Sequence, residues 1–317
     1  MVSSPGFTAR ARLARNGRRY TFPGRWLISR PVRALGLAMK TILVTGATSG
    51  IGLEASVQLA KQGHRVVLVG RDAAKTATCV DQVKQRSGSQ AVESALCDFS
   101  SQASIRALAA EVQGRFERLD VLVNNAGTVF DAYGKTVDGI ERTFAVNHLG
   151  YFLLTNLLLD LLVKSAPSRI VVVASTGHYR GDMDLSDLSY EKGGWNVMAS
   201  YGRSKLGNVM MTRSLARRLA GKGVTVNALH PGVVASNIWS HAPTWAKPLL
   251  APIQWFFMIS PEEGGQTITY LATSPEVETV TGEYFEKNKP KPASRLARDE
   301  ALAEALWAKS AELVKLT

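Results

Sequence analysis

Tyr201-Gly202-Arg203-Ser204-Lys205 places a phenol and an ammonium four residues apart, a spacing that puts both on one face of a helix. A phenol with the usual pKa near 10 is a weak base at neutral pH. A nearby cation favours the phenolate, so the pair could act as acid toward a carbonyl oxygen or as base toward an alcohol. The spacing alone is common and also describes an incidental surface pair. Ser175 strengthens the case, because it follows the apolar run Ile170-Val171-Val172-Val173-Ala174 and could present its hydroxyl to a substrate oxygen. Asn147, inside Phe144-Ala145-Val146-Asn147-His148-Leu149-Gly150, sits in an apolar helical stretch. A buried amide is unfavourable there unless it is used.

The elements that must position these groups alternate in type. Ile42–Val44, Arg65–Val69, Ala91–Leu96, Val121–Val123, Ile170–Val173 and Val224–Ala228 read as short buried strands. Between them, residues 50–62, 72–86, 101–116, about 137–163 and 200–220 read as helices. Apolar runs of four or five residues alternating with helix-length segments predict an α/β class, a doubly wound parallel sheet of Rossmann type covered on both faces. No repeat or composition break marks a second domain. One domain over 39–317, behind an extension over 1–38, is the simplest organisation.

A second site is predicted at the same sheet edge. Thr45-Gly46-Ala47-Thr48-Ser49-Gly50-Ile51-Gly52 joins the first strand to the first helix. Such a turn lets backbone approach a pyrophosphate held at a helix N-terminus. The second strand ends in Gly70, where an NAD-selective site would carry an acid, and Arg71 follows, a cation suited to a 2'-phosphate. NADP(H) is therefore expected over NAD(H), with Asp72 either a complication or a helix cap. Asp98 after the third strand is a candidate for the adenine, and Asn124-Asn125-Ala126-Gly127 closes the fourth.

With His230-Pro231-Gly232 and Ser236 after the sixth strand, these motifs occur together and in order. The sequence thereby resembles the short-chain dehydrogenase/reductase family over about residues 40–290. The resemblance implies Tyr201 as acid/base and Lys205 as the group that binds the nicotinamide ribose and lowers the tyrosine's pKa. It implies Ser175 to polarise the substrate oxygen, Asn147 to help a proton relay through water, and Ser236 to contact the nicotinamide carboxamide. Gly46, Thr48, Ser49, Gly50, Ile51, Gly52, Arg71, Asp98, Asn125, Ala126, Gly127, Pro231 and Gly232 fall on the cofactor side. Ser175-Thr176-Gly177-His178, Tyr201 through Asn208, Pro261-Glu262-Glu263-Gly264-Gly265-Gln266, Gly282-Glu283-Tyr284-Phe285 and a terminal helix with Trp307 look most like the retinol dehydrogenase-like branch. Three departures stand against that branch. Ala174 replaces a frequent second serine, no membrane anchor is read, and 25 residues separate Ser175 from Tyr201.

Residues 237–259 carry Trp239, Trp245, Trp255, Phe256 and Phe257. By resemblance they form a substrate lid, which suits a hydrophobic alcohol, aldehyde or ketone; a core or oligomer contact is the other reading. His178 and Tyr179 could line the pocket or serve the structure. Two other functions stay open: a non-enzymatic NADP(H)-binding sensor, which loss of Tyr201 or Lys205 would have favoured, and a light-dependent, protochlorophyllide-type reductase.

Composition excludes several classes. The net charge of +12 is concentrated, since eight of the 38 basic residues and none of the 26 acidic ones lie in residues 1–38. Without that segment the balance is 30 against 26, or +4, so no nucleic-acid partner is expected. The segment reads as the product of an upstream start, with Met39 opening the compact enzyme, as a targeting peptide, or as a membrane-surface or partner arm, and is expected to be disordered. The enzyme is expected to be cytoplasmic, organelle targeting being the alternative. Two distant cysteines and five scattered histidines give no metal-ligand spacing. No apolar run reaches transmembrane length, and a homo-oligomer stays open.

Overall fold

The first strand is TILVT, all five residues buried, and its β-branched composition suits a pleat covered on both sides. The computed structural model describes residues 39–232 and 260–316, within a compact unit spanning Met39–Thr317. Strands are β1 Thr41–Thr45, β2 Arg65–Gly70, β3 Val92–Leu96, β4 Val121–Asn124, β5 Ser168–Val173, β6 Val224–His230, β7 Tyr284–Glu286 and β8 Lys289–Lys291. They form one sheet in the order β3-β2-β1-β4-β5-β6-β7-β8. Every pairing is parallel except β7 with β8. The doubly wound, Rossmann-type architecture is as expected, apart from this antiparallel edge.

Helices α1 Gly50–Lys61, α2 Ala73–Ser87 and α3 Gln102–Arg115 follow the first three strands. The helix expected over 137–163 is shorter and interrupted. It begins at Arg142–Phe144, widens into a π turn at Ala145–Leu149 and resumes as Gly150–Leu157; together these are α4. A separate helix, α5, spans Leu159–Lys164. Residues 135–141 cannot join α4, because Gly139 has φ +79° and Lys135 pairs with Glu141 in an antiparallel bridge. Helix α6 covers Val197–Arg218, α7 Pro261–Thr273 and α8 Glu300–Leu313.

Two apolar cores flank the sheet. One holds Leu43, Leu122, Ile170 and Val172 with Phe144, Phe152, Leu206 and Met210 from α4 and α6. The other holds Ile42, Val44, Val121 and Val171 with Leu59 from α1 and Ile268 and Leu271 from α7. Alternate residues of each strand thus enter opposite cores, as the pleat requires. The first core seats α4 and α6, which carry Asn147, Tyr201 and Lys205, against the sheet. Among the described residues no helix is long and apolar enough to cross a membrane.

Candidate active site

The loops leaving β1 and β4 are laced together. Thr45 Oγ1 donates to Val123 O at 3.1 Å and accepts from the amides of Asn125 and Ala126 at 2.8 and 3.0 Å. Asn125 Nδ2 donates to Thr45 O and Gly46 O at 2.8 and 3.1 Å. A Cβ on Gly46, where φ is +64°, would lie 2.6 Å from Ala126 Cα; only glycine permits this approach. Asn125, Ala126 and Gly46 therefore shape the turn.

The turn suits an anionic ligand. Ser49 is the N-cap of α1, yet its side chain makes no capping bond, and no acidic residue lies in the first helical turn. The hydroxyl and the first amides of the helix could therefore meet an anion. At the tip of β2, a Cβ on Gly70 would fall 2.1 Å from Thr76 Oγ1 and 2.5 Å from Thr48 Cγ2, so no carboxylate fits there without displacing both threonines. Asp72 is a helix cap, its carboxylate accepting from Lys75 N at 2.7 Å. Arg71 is exposed. Asp98 accepts from the amide and hydroxyl of Ser100 at 2.9 and 2.7 Å, which engages one of its oxygens in a local turn.

At the end of β5, Ser175 accepts from Gly177 N at 3.1 Å and opens a short 3-10 turn, Thr176–Arg180. A Cβ on Gly177 would meet the Tyr201 ring at 3.1 Å and Ser175 Oγ at 3.5 Å, so the glycine lets the two hydroxyl-bearing residues converge. A hydrogen bond with Ser175 lowers the phenol's pKa, but burial prevails and holds Tyr201 above the ordinary value. Lys205 Nζ lies 5.7 Å from the Tyr201 ring centroid and donates to Val173 O at 3.0 Å. Being 4% exposed, it is itself pushed down to about 7 by burial. Desolvation disfavours the charged form of each.

Asn147 is fully buried in the π turn, and its amide is used at both ends. Oδ1 accepts from Thr128 N at 2.8 Å; Nδ2 donates to Thr128 O at 2.9 Å and Ser204 Oγ at 3.2 Å. Its main-chain carbonyl accepts from Asn208 Nδ2 at 2.9 Å. A π turn breaks the i→i+4 pattern, and here an asparagine of α6 supplies a donor. Because that carbonyl can only accept, Asn208 must turn its oxygen to His148 Nδ1, 3.3 Å away. His148 Nδ1 then donates, and Nε2 accepts from Ser310 of α8 at 3.1 Å. Burial lowers His148 to about 4, so it is neutral near pH 7. Asn147 thus works as a clamp between α4, α6 and the β4 loop. A Cβ on Gly127 would lie 3.1 Å from Asn147 Oδ1 and 3.7 Å from Lys205 Nζ, which brings the cofactor-side loop against the amine.

Several groups here were not anticipated. Glu141 is fully buried and accepts from Thr143 N, Phe144 N, Ser200 Oγ and Trp195 Nε1 at 3.0, 2.8, 3.0 and 3.3 Å. It caps α4, holds the residue preceding Tyr201 and anchors the 176–200 insertion. Arg203 is 3% exposed, pairs with Asp182, donates to Asp187 O at 2.7 Å and stacks 3.9 Å from the Tyr190 ring centroid. The insertion is therefore clasped by the Tyr201 helix. His178 is fully buried; Nδ1 donates to Ser175 O at 2.6 Å and Nε2 accepts from Ser294 N at 3.2 Å. That is a structural role, and Tyr179 donates to Pro292 O at 2.6 Å.

Pro231 and Gly232 (φ +99°) end β6 at this edge. Ser236 and the aromatic residues from Trp239 to Phe257 lie outside the described residues. No cluster able to hold a metal occurs among the described residues.

The family model described as short chain dehydrogenase matches residues 40–247. The chain belongs to this family. Human retinol dehydrogenase 13 is 43% identical over 281 residues, covering 87% of this chain and 85% of the relative. Mouse retinol dehydrogenase 14 is 45% identical over 280 residues, covering 84% of each. Among solved structures, Pseudomonas aeruginosa RhlG in its NADP active-site complex superposes with a TM-score of 0.64 at 29% identity, covering 78% of this chain and 94% of the other. This short-chain dehydrogenase is therefore an oxidoreductase of the retinol dehydrogenase-like kind, interconverting alcohol and carbonyl groups at CH–OH carbon.

Proposed function

We propose that the chain is an NADP(H)-dependent oxidoreductase acting on hydrophobic alcohols and the corresponding aldehydes or ketones, with Tyr201, Lys205, Ser175 and Asn147 as its working residues. The observation that carries this reading is the convergence of Ser175 and the Tyr201 ring on Gly177, together with Lys205 lying against Gly127, next to the Ala126 that packs on Gly46 of the glycine turn. When bound, the nicotinamide supplies or accepts hydride. In reduction, Tyr201 Oη gives its proton to the substrate oxygen; in oxidation it takes that proton back. Ser175 Oγ holds the same oxygen by hydrogen bonding. Lys205 has two ammonium protons beyond the one on Val173 O, suited to ribose hydroxyls. Asn147 is a positioning residue here, since its amide already meets Thr128 and Ser204. Gly46, Thr48, Ser49, Gly50, Ile51 and Gly52 would cradle the diphosphate, Arg71 the 2'-phosphate, and Asp98 the adenine side.

The substrate class rests on the retinol dehydrogenase relatives and on the aromatic composition of residues 237–259, proposed as the lid together with Ser236 at the carboxamide. The extension over 1–38 is proposed to lie outside the catalytic domain. Full-length protein assayed with NADPH should reduce long-chain and polyene aldehydes with kcat/KM about 100-fold or more above that for short polar aldehydes, because each buried methylene adds about 0.8 kcal/mol. Equal efficiency across both series would contradict the hydrophobic assignment.

A further inference from the structure

Lys205 is deeply buried among groups that carry no negative charge. From β5 it meets the Val173 carbonyl, and from the β4 loop it lies near Gly127. Among the described residues no carboxylate is paired with it. The titratable groups facing it are two phenols: Tyr201 from its own helix and Tyr151 from α4. The two ring centroids lie 5.7 and 5.8 Å from Nζ, within the range at which an aromatic face attracts an ammonium.

Tyr151 also packs in the first apolar core. It is one helical turn beyond Asn147, is completely buried, and its hydroxyl has no hydrogen-bond partner among the described residues. A buried hydroxyl without a partner weakens the fold, so the phenol's polar end does not explain its place. The face of its ring toward the ammonium does. Burial also raises the Tyr151 phenol well above its ordinary value, and the neighbouring Tyr201 adds to the rise, so the ring stays neutral where the enzyme works.

We propose that Tyr151 is a positioning residue for Lys205, its ring forming with that of Tyr201 an aromatic slot that keeps the ammonium charged and aimed at the cofactor side. The inference rests on the role of Lys205 given above. The slot offsets the desolvation that lowers Lys205 to about 7. A ring that favours the cation raises the amine's pKa, and functions that need the cation are lost as pH rises through that value. Removing the ring must move the loss to lower pH.

The test uses the full chain in a Tyr201→Phe background, which keeps the second ring and removes the phenol's own titration. NADPH affinity is followed from neutral to alkaline pH; the ligand's titration is common to all variants and cancels. Tyr151→Phe should leave the midpoint of the alkaline loss in place, and Tyr151→Leu should lower it by about one pH unit, the worth of a desolvated cation–π contact. Should the leucine variant not fold, phenylalanines of increasing fluorination at position 151 hold the shape while draining the ring face, and the midpoint should fall stepwise. A leucine midpoint equal to that of the parent, or a flat fluorinated series, overturns the proposal. The catalytic reading fails separately, if Tyr201→Phe itself still turns over at the parent rate.

Discussion

Tyr201→Phe is expected to lower kcat by about 100-fold or more while leaving the dissociation constant for NADPH nearly unchanged. The magnitude is that of a positioned general acid. The selectivity comes from the site. The substitution deletes one oxygen; the ring stays packed against Gly177 and beside Lys205. Nothing that shapes the glycine turn is touched, because Thr45 and Asn125 make its bonds. Steady-state turnover with NADPH and a polyene aldehyde, paired with a fluorescence titration of NADPH, separates the two quantities. A kcat within a few-fold of the parent would remove the phenol from the chemistry. A parallel collapse of NADPH affinity would recast it as a binding residue.

Arg71→Ala is expected to weaken NADPH by about 10- to 100-fold, the range for a lost hydrogen bond to a charged group, and NADH by about twofold at most. The case combines exclusion with supply. Thr76 and Thr48 crowd the Gly70 Cβ position, so an acid that would accept both ribose hydroxyls has no room at the β2 tip. Asp72, next in sequence, is committed to Lys75 N as the cap of α2. What remains is an exposed guanidinium between them, able to meet a phosphate with two donors. Comparing dissociation constants for both cofactors in parent and variant decides it. Equal losses would mean that Arg71 meets a phosphate common to both.

The strand and helix order is legible because most strands are buried, β-branched runs, β3 with its VESAL sequence excepted, and the glycine turn after β1 joins a strand to a helix. The motif residues were legible for the same reason, since Ser175, Asn125 and Gly232 all follow strand ends on one edge. Other features depend on tertiary neighbours. The π turn at Asn147 depends on Asn208 taking a carbonyl, which no local pattern announces. Glu141 reads as an ordinary helix-start acid, and its burial emerges only once Ser200 and Trp195 pack over it. Arg203, inside Y-x-x-x-K, reads as solvent-facing until Asp182 and Tyr190 of the insertion fold onto it; the available signal is three aspartates, Asp182, Asp184 and Asp187, in the insertion. Residue spacing reports the proximity of Tyr201 to Lys205 but not the burial that raises the phenol.

That shift bears on the central claim, a phenol made competent by its surroundings. Burial alone holds Tyr201 above its ordinary value, so activation must come from Ser175, a charged Lys205 and the positive ring of oxidised cofactor acting together. The direct measurement is an ultraviolet difference titration of parent against Tyr201→Phe, with and without saturating NADP+. One phenol should titrate above the usual value of about 10 in the protein alone and below it in the complex. A phenol that stays at or above that value with the cofactor bound would contradict it.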